Sequence, residues 1–466
     1  MPKTPFAHQK EGIKWLVSHR GRSKNNVPLK GAILADDMGL GKTLTALLTA
    51  KVHAKTQNTA TLIIAPKSVR NNWKREAVEA GVEAKVLSWG SLPVVKSEQE
   101  VKGKKQITYK ASPDLPEKYV LLVDEAHLAQ DENSERTKCF LALAKDPRCI
   151  AVYPITGTPA PNGRPLNMKP LLIAINHHVI VNDFDYEVRY CNAHAMRIEV
   201  EDRHNEVTAQ RSIWQNKGAA NLQELYEVTK NAILRRTKDD CLDLPEKTRT
   251  FVEVELDVVA QAAYDANYKK QKDAYIRRIK SGAITGFAEE IVLLNLVRMA
   301  ASIAKTAEAI RMAEELLEQG RQVVLFTEFA ESAKILADHF RITALTGETS
   351  AKQRQDMVDN FQAGKEHVFV GTVRAGGIGI TLTSSQDEIL VDRPWTPGAT
   401  QQVEDRLHRI GQKNKVNIWW LRFGAIDDKI DNILEAKMKN INHMLTGNPD
   451  ATTFYEGLAA DIFGNG

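Results

Sequence analysis

Short, uninterrupted apolar runs recur along this chain, each closed by glycine, proline or charged residues and followed by a stretch with helical spacing. Residues 31–35, 61–65, 86–89, 119–123 and 150–153 are such runs. They are too short for helices and, apart from Thr61 and Ser88, carry no polar side chain, as strands buried on both faces do. The stretches that follow the first two, from Leu44 onward and over 69–77, read as helices. Strand, loop and helix repeated in this order predict a parallel sheet with helices on both faces. Ahead of the first strand, residues 6–16 carry apolar positions at helical spacing and predict an amphipathic helix.

Between 164 and 253 the rhythm breaks. Pro165, Pro170, a charged run over 197–211 and a helical pattern over 222–234 read as an insertion and connector. Residues 260–280 predict a helix with Tyr264, Tyr268, Tyr275 and Ile279 on one face; its Lys/Arg cluster reads as a solvated side, with a DNA-facing protrusion as the minority reading. A second alternating block starts near 303, with strand-like stretches at 323–326, 342–345, 368–370 and 388–391 and helical patterns over 330–340 and 351–361. The expected class is therefore α/β, with two parallel-sheet lobes. The boundaries read as 1–165 for the first lobe, 166–300 for a connector with helical protrusions, 301–445 for the second lobe and 446–466 for a short tail.

Composition narrows this picture only a little. At 466 residues the chain is long enough for about three units at ~150 residues each. An apolar share of 43% against 26% charged residues suits a globular protein with a full core. No run has the length of a membrane span, and the first residues lack a signal-peptide core. Cys139, Cys149, Cys191 and Cys241 form no CxxC pair, so neither a disulfide framework nor a zinc module is expected; Cys191 and His194 read as part of a structural loop. A net charge of +4 permits nucleic acid binding without arguing for it. The polar, basic segment 96–110 reads as a solvated hairpin.

Chemistry enters at ADDMGLGKT, residues 35–43, directly after the first apolar run. Gly39 and Gly41 let the backbone turn its N–H groups toward a phosphate at the positive end of the following helix. Lys42 reaches the β- and γ-phosphates in such a loop, and the Thr43 hydroxyl ligates Mg²⁺. The strict pattern has a glycine where this chain has Asp36. Asp124 and Glu125 stand at the carboxyl end of an apolar strand, where α/β sites form, and suit a metal carboxylate and a water-polarising base. Arg406 and Arg409, spaced i and i+3, are expected to share a helix face and to act as a finger pair on the γ-phosphate. The bland alternatives are an acid pair at a helix N-terminus and a solvated basic face. No second phosphate loop occurs in the second block, so the nucleotide is expected between the lobes.

Taken together, FAHQKEGIKWL, DDMGLGKT, IIAPKSVRNNWKREA, DEAH, ITGTPAPN, LRRTKDDCLDLPEKT, VVLFTEF, GTVRAGGIGITLTSS, DRPWTPG and EDRLHRIGQK resemble the Swi/Snf-type DNA translocases of the superfamily two helicase-like ATPases. The connector is similar to that of the annealing-helicase, fork-remodelling branch. The resemblance implies two RecA-like lobes, the cofactors ATP and Mg²⁺, and double-stranded or forked DNA as partner of a monomeric motor.

By the same resemblance Gln9 contacts adenine, and Asp37, Met38, Gly39, Leu40, Gly41, Lys42, Thr43 and Leu44 line the nucleotide, with Thr43 and Asp124 toward the metal. Lys42, Asp124, Glu125, Arg406 and Arg409 serve hydrolysis, while Thr156, Gly157, Thr158, Gly377, Gly379 and Gln402 couple it to motion. Pro66, Lys67, Ser68, Trp89, Thr327, Thr372 and Arg374 fall where the family lines its DNA groove, and residues 426–444 resemble its brace helix. Ala160-Pro161 depart from the family's usual leucine-glutamine. The absence of any accessory module suggests a bacterial or phage protein of the cytoplasm, or a nuclear one if eukaryotic. Two rival readings stand beside the translocase: a strand-separating DNA or RNA helicase, and a DNA-binding scaffold that uses ATP as a switch.

Overall fold

The computed structural model describes residues 4–18, 29–101, 104–180, 182–201, 207–280, 287–377 and 379–447; beyond Gly447 the expected tail lies outside them. The chain forms two compact units. The first takes the chain up to His194, Gln215–Asp243 and the stretch from Lys437, and the second takes Ala195–Trp214 and Leu244–Ala436. The segment expected as a connector is thus divided between the units. Its physical reason is strand pairing, since one part of it joins the first sheet and another the second.

In the first unit, strands β1 (Ile33–Leu34), β2 (Ala60–Ala65), β3 (Ala84–Ser88), β4 (Tyr119–Asp124), β5 (Cys149–Ile155) and β6 (Ile233–Leu234) form one sheet in the order β6-β1-β5-β4-β2-β3. All of its pairings are parallel. The two-residue period sends alternate side chains into two cores. Leu62, Ile64, Leu121 and Val123 enter one with Trp89, Phe140 and Met168. Ile63, Ala65, Val120 and Leu122 enter the other with Leu44, Leu47 and Trp73. Helix α1 (Ala7–Ser18), α2 (Lys42–Gln57) and α3 (Arg70–Ala80) follow the predicted pattern, and α3 stops where Gly81 turns left-handed. The stretch 222–234 is not one helix: Leu222–Thr229 is helical and Ile233–Leu234 pairs with β1 at the sheet edge. The 96–110 segment is an antiparallel hairpin, Val94–Val101 with Lys104–Ala111.

The second unit holds strands β7 (Lys247–Glu253), β8 (Val323–Thr327), β9 (Val368–Thr372), β10 (Asp387–Leu390) and β11 (Val416–Arg422) in the parallel order β7-β11-β10-β8-β9. Val323, Leu325, Val370 and Ile389 pack on the helix Phe287–Glu318 through Ala309, Ala313 and Leu316. Val324, Phe326, Phe369 and Leu390 face the opposite core. Residues 342–345 form no named strand and contribute a single bridge, Leu345 to Gly371. The helix Gly424–Thr446 ends with Ile441, Met444 and Leu445 in the first unit's core. Each unit is a parallel sheet packed with helices, the expected α/β class. Among the described residues no helix is long and apolar enough to cross a membrane.

Candidate active site

The loop after β1 has the geometry that a phosphate cradle requires. Gly39 and Gly41 both take positive φ, at 88° and 73°. Gly41 stands at the N-terminus of α2 with no side-chain cap, so the first-turn amides are left for an anion. A side chain at Gly41 would meet Gln9 Nε2 at 2.2 Å. Gln9 in turn donates to the carbonyls of Leu40 and Gly41 at 3.2 Å each, which ties α1 to the loop. Lys42 Nζ rests on the carbonyls of Asp36 and Asp37 at 2.8 and 3.0 Å. Burial lowers the Lys42 pKa, against the pull of Asp36 and Glu125.

Across the carboxyl edge of the sheet, Asp124 closes β4 and Glu125 adopts a left-handed backbone, φ 48°, that turns it into the loop. Trp73 Nε1 donates to Asp124 Oδ2 at 2.7 Å, and Trp89 Nε1 donates to the Asp124 carbonyl at 3.1 Å. Burial first, and then the neighbouring Glu125, push the Asp124 carboxyl up; a cation beside it works the other way. His127 Nδ1 lies 3.3 Å from Glu125 Oε2 and 3.1 Å from Thr156 Oγ1. Burial brings His127 down to about 4, so it is neutral near pH 7. Thr156 Oγ1 also accepts from the Thr158 amide, and Gly157 leaves room for Met38, whose Cγ would lie 3.2 Å from an added Cβ. The structure therefore brings together Gln9, 36–44, Asp124, Glu125 and Thr156–Gly157–Thr158.

Two residues of this site escaped the sequence reading. Arg236 forks onto the Asp36 carboxylate through Nε at 3.0 Å and through Nη2, and also donates to the His8 carbonyl. Arg235 pairs with Asp37 Oδ1 at 2.5 Å and donates to the carbonyls of Ala35 and Gly157 at 2.7 and 3.2 Å. Asp36, in the place of the strict pattern's glycine, is thus a buried partner of Arg236. The available signal was LRRTK itself, an Arg-Arg pair closing an apolar stretch.

A magnesium nucleotide suits these residues. The loop offers uncapped amides and a lysine, Thr43 is half-buried at the helix start, and Asp124 has one oxygen engaged by Trp73.

In the second unit, the expected helix face for Arg406 and Arg409 is corrected. The Pro397–Glu404 helix ends before them, and both lie in the turn that follows. They still converge, because both donate to the Ile380 carbonyl, at 3.3 and 3.1 Å. Arg406 donates besides to the carbonyls of Gly377 and Gln402, at 2.7 and 2.9 Å. Gly377 needs to be small, since a Cβ there would meet Gln402 Oε1 and the Val373 carbonyl at 3.0 Å each; Gly379 has φ 70°.

The residues expected along a DNA groove divide by exposure. Lys67 and Ser68 are exposed and Pro66 is half-buried. Arg374 is 89% exposed, 3.8 Å from Glu328. Trp89, Thr327 and Thr372 are buried. Trp89 serves Asp124, and Thr327 Oγ1 donates to Asp392 Oδ2 at 2.6 Å inside the second unit.

Residues 8–302 match the family model of the SNF2-related domain, and residues 308–411 match that of the helicase conserved C-terminal domain. The chain is 29% identical over 93% of its length to a SWI/SNF-related matrix-associated actin-dependent regulator of chromatin subfamily A-like protein 1 of Xenopus tropicalis, spanning 44% of that protein. It is 27% identical over 97% of its length to the human DNA annealing helicase and endonuclease ZRANB3, spanning 41% of it. An ATP-dependent helicase of Mycoplasma genitalium is also 27% identical, with 43% of its length covered. The chain thus spans less than half the length of these relatives. A solved SWI2/SNF2 ATPase core from Sulfolobus solfataricus in complex with dsDNA aligns with 96% of this chain and 94% of its own, at 21% identity and a TM-score of 0.39.

Proposed function

We propose, from the premise that this chain belongs to the SNF2-related family of helicase-like ATPases, that it hydrolyses Mg-ATP to move along double-stranded DNA, rewinding forks or displacing bound proteins. The observation that carries the reading is the convergence of the loop 36–44 with Asp124 and Glu125 at one edge of the first sheet, where Lys42 interacts with both carboxylates.

Each step of the proposed reaction falls to a residue of this chain. Gln9 receives the base, and the amides at the start of α2 take the phosphate oxygens. Lys42 leaves the Asp36 and Asp37 carbonyls for the phosphates, and with them it regains a full counter-charge. Thr43 and Asp124 would hold magnesium, which when bound would add further neutralisation of phosphate charge. Glu125 orients the attacking water and takes its proton. Neutral His127, with its proton on Nδ1, donates to Glu125 and holds that carboxylate in place; with the proton on Nε2, it accepts from Thr156 instead. Arg406 and Arg409 add positive charge to the transferring phosphoryl group, which an arginine finger raises in rate by roughly a thousandfold or more. Lys67, Ser68 and Arg374 offer contacts to the duplex backbone.

The test is steady-state ATP turnover by wild type and Lys42→Ala. Wild type turns over ATP and Lys42→Ala falls below about a tenth of it, because the lost cation acts directly on the transferring phosphate. Equal rates refute the assignment.

A further inference from the structure

We infer that Trp73 and Trp89 are positioning residues for the metal carboxylate, and that they join Asp124 to the segment proposed to hold duplex DNA. The inference rests on the proposed function for the roles of Asp124 and Lys67–Ser68, and on geometry for the link between them.

Three strands end side by side at the carboxyl edge of the first sheet. Ala65 pairs with Ser88, and Ile64 pairs with Val123 next to Asp124. After Ala65 come Pro66, exposed Lys67 and Ser68, and then α3, which carries Trp73. After Ser88 comes Trp89 itself, held on one side by the Ser88–Ser91 hydroxyl pair at 2.7 Å. Both indoles are buried, at 2% and 7% exposure, and both spend their one N–H on Asp124. An indole N–H is a donor only, so each bond has one direction. Trp73 fixes the carboxylate through Oδ2, while Trp89 fixes the backbone of the same residue.

Such partners set the orientation and basicity of a metal-binding carboxylate, and losing one typically costs about 10–100-fold in metal affinity. Here Trp73 comes from the helix after β2, the neighbour of the strand that Asp124 closes, and Trp89 directly follows β3, one strand further out. A phosphate backbone that engages Lys67 and Ser68 steadies the first turn of α3 and hence Trp73, so duplex binding tightens the metal. The packing supports a stiff link: Trp73 belongs to the same buried core as Leu44, Leu47, Ile63 and Leu122, and Trp89 lies edge-on to Phe140 at 6.0 Å.

The experiment reads Mn²⁺ by electron paramagnetic resonance on the full chain with ADP, with and without a blunt duplex, so no turnover is involved. Wild type binds Mn²⁺ and binds it more tightly with duplex. Trp73→Phe binds Mn²⁺ at least about 10-fold more weakly and loses the duplex increment. Because Trp73→Phe shrinks a buried side chain, a second variant carries benzothienylalanine at 73, which replaces the N–H with sulfur at nearly the same shape; it gives the same loss. Trp73→Phe or the sulfur analogue binding Mn²⁺ like wild type, or keeping the duplex increment, overturns the inference alone. A wild type that binds no Mn²⁺ with ADP overturns the ATP-site reading, and the inference with it.

Discussion

Arg236→Gln is expected to be among the most destabilising substitutions in the first unit that leave its hydrophobic cores untouched. The Asp36 side chain is 1% exposed and that of Arg236 is 15% exposed, so water has almost no access to the carboxylate. Two parallel N–H bonds join the pair, and a third donor of the same guanidinium holds the His8 carbonyl. Glutamine cannot supply that fork. It leaves a buried carboxylate without its cation, which costs about 3–5 kcal/mol, whereas a well-solvated surface pair would cost under about 1 kcal/mol. The double variant Asp36→Asn/Arg236→Gln removes the stranded charge as well, so most of that loss is recovered, with a coupling energy of about 2–3 kcal/mol. Urea unfolding followed by tryptophan fluorescence measures all three proteins, and equal m-values guard the comparison. A loss below about 1 kcal/mol in the single variant, or strict additivity in the double, refutes the buried pair as a determinant of the loop.

Further outcomes follow from other residues. Glu125→Gln keeps shape and nucleotide binding but cannot take the proton of water, so single-turnover hydrolysis of labelled ATP slows by at least about 100-fold; wild-type speed excludes Glu125 as the base. Arg406→Ala and Arg409→Ala each cut DNA-stimulated turnover severely while nucleotide affinity stays within a few-fold, because their contribution belongs to the transition state; a variant that keeps full stimulation leaves them as charge within the second unit. His177, brought down to about 4 by burial and then by His178, accepts the Val179 amide through Nδ1. Its folded pKa lies below the unfolded value near 6.5, so the stability it lends is full above about pH 6.5 and is lost as pH falls toward 4, by up to about 1.4 kcal/mol per pH unit. Unfolding midpoints of wild type and His177→Gln, taken from pH 4 to 7, check this; equal slopes contradict it.

The strands were legible because buried parallel strands are apolar along most of their length: 62–65 and 119–123 are apolar end to end and lie in β2 and β4. The phosphate loop was legible because its glycines, lysine and threonine sit within a few positions of one another. What the sequence hid was long-range pairing. Asp36 and Arg236 lie 200 positions apart, and no local spacing reveals that one neutralises the other. The family resemblance assigned Trp89 to a groove, and only the fold shows its indole N–H on the Asp124 carbonyl and its ring edge-on to Phe140. The short strand Ile233–Leu234 continued a helical pattern in sequence and was claimed by the open edge of β1. Arg406 and Arg409 carry helical spacing, yet the helix begun at Pro397 stops at Glu404, whose side chain accepts from Lys247 and Arg249. Backbone carbonyls of the glycine loop then gather both arginines.

The central claim is that ATP hydrolysis moves this protein along an intact duplex, and displacement of a triplex-forming oligonucleotide tests it most directly. A labelled third strand is annealed at one end of a long duplex, and its release is followed with ATP, with ADP and with the Lys42→Ala protein. The account predicts ATP-dependent release by wild type alone, with the two strands of the duplex still paired at the end. Vigorous ATP turnover without release of the third strand, or release only as the duplex itself is separated, contradicts it.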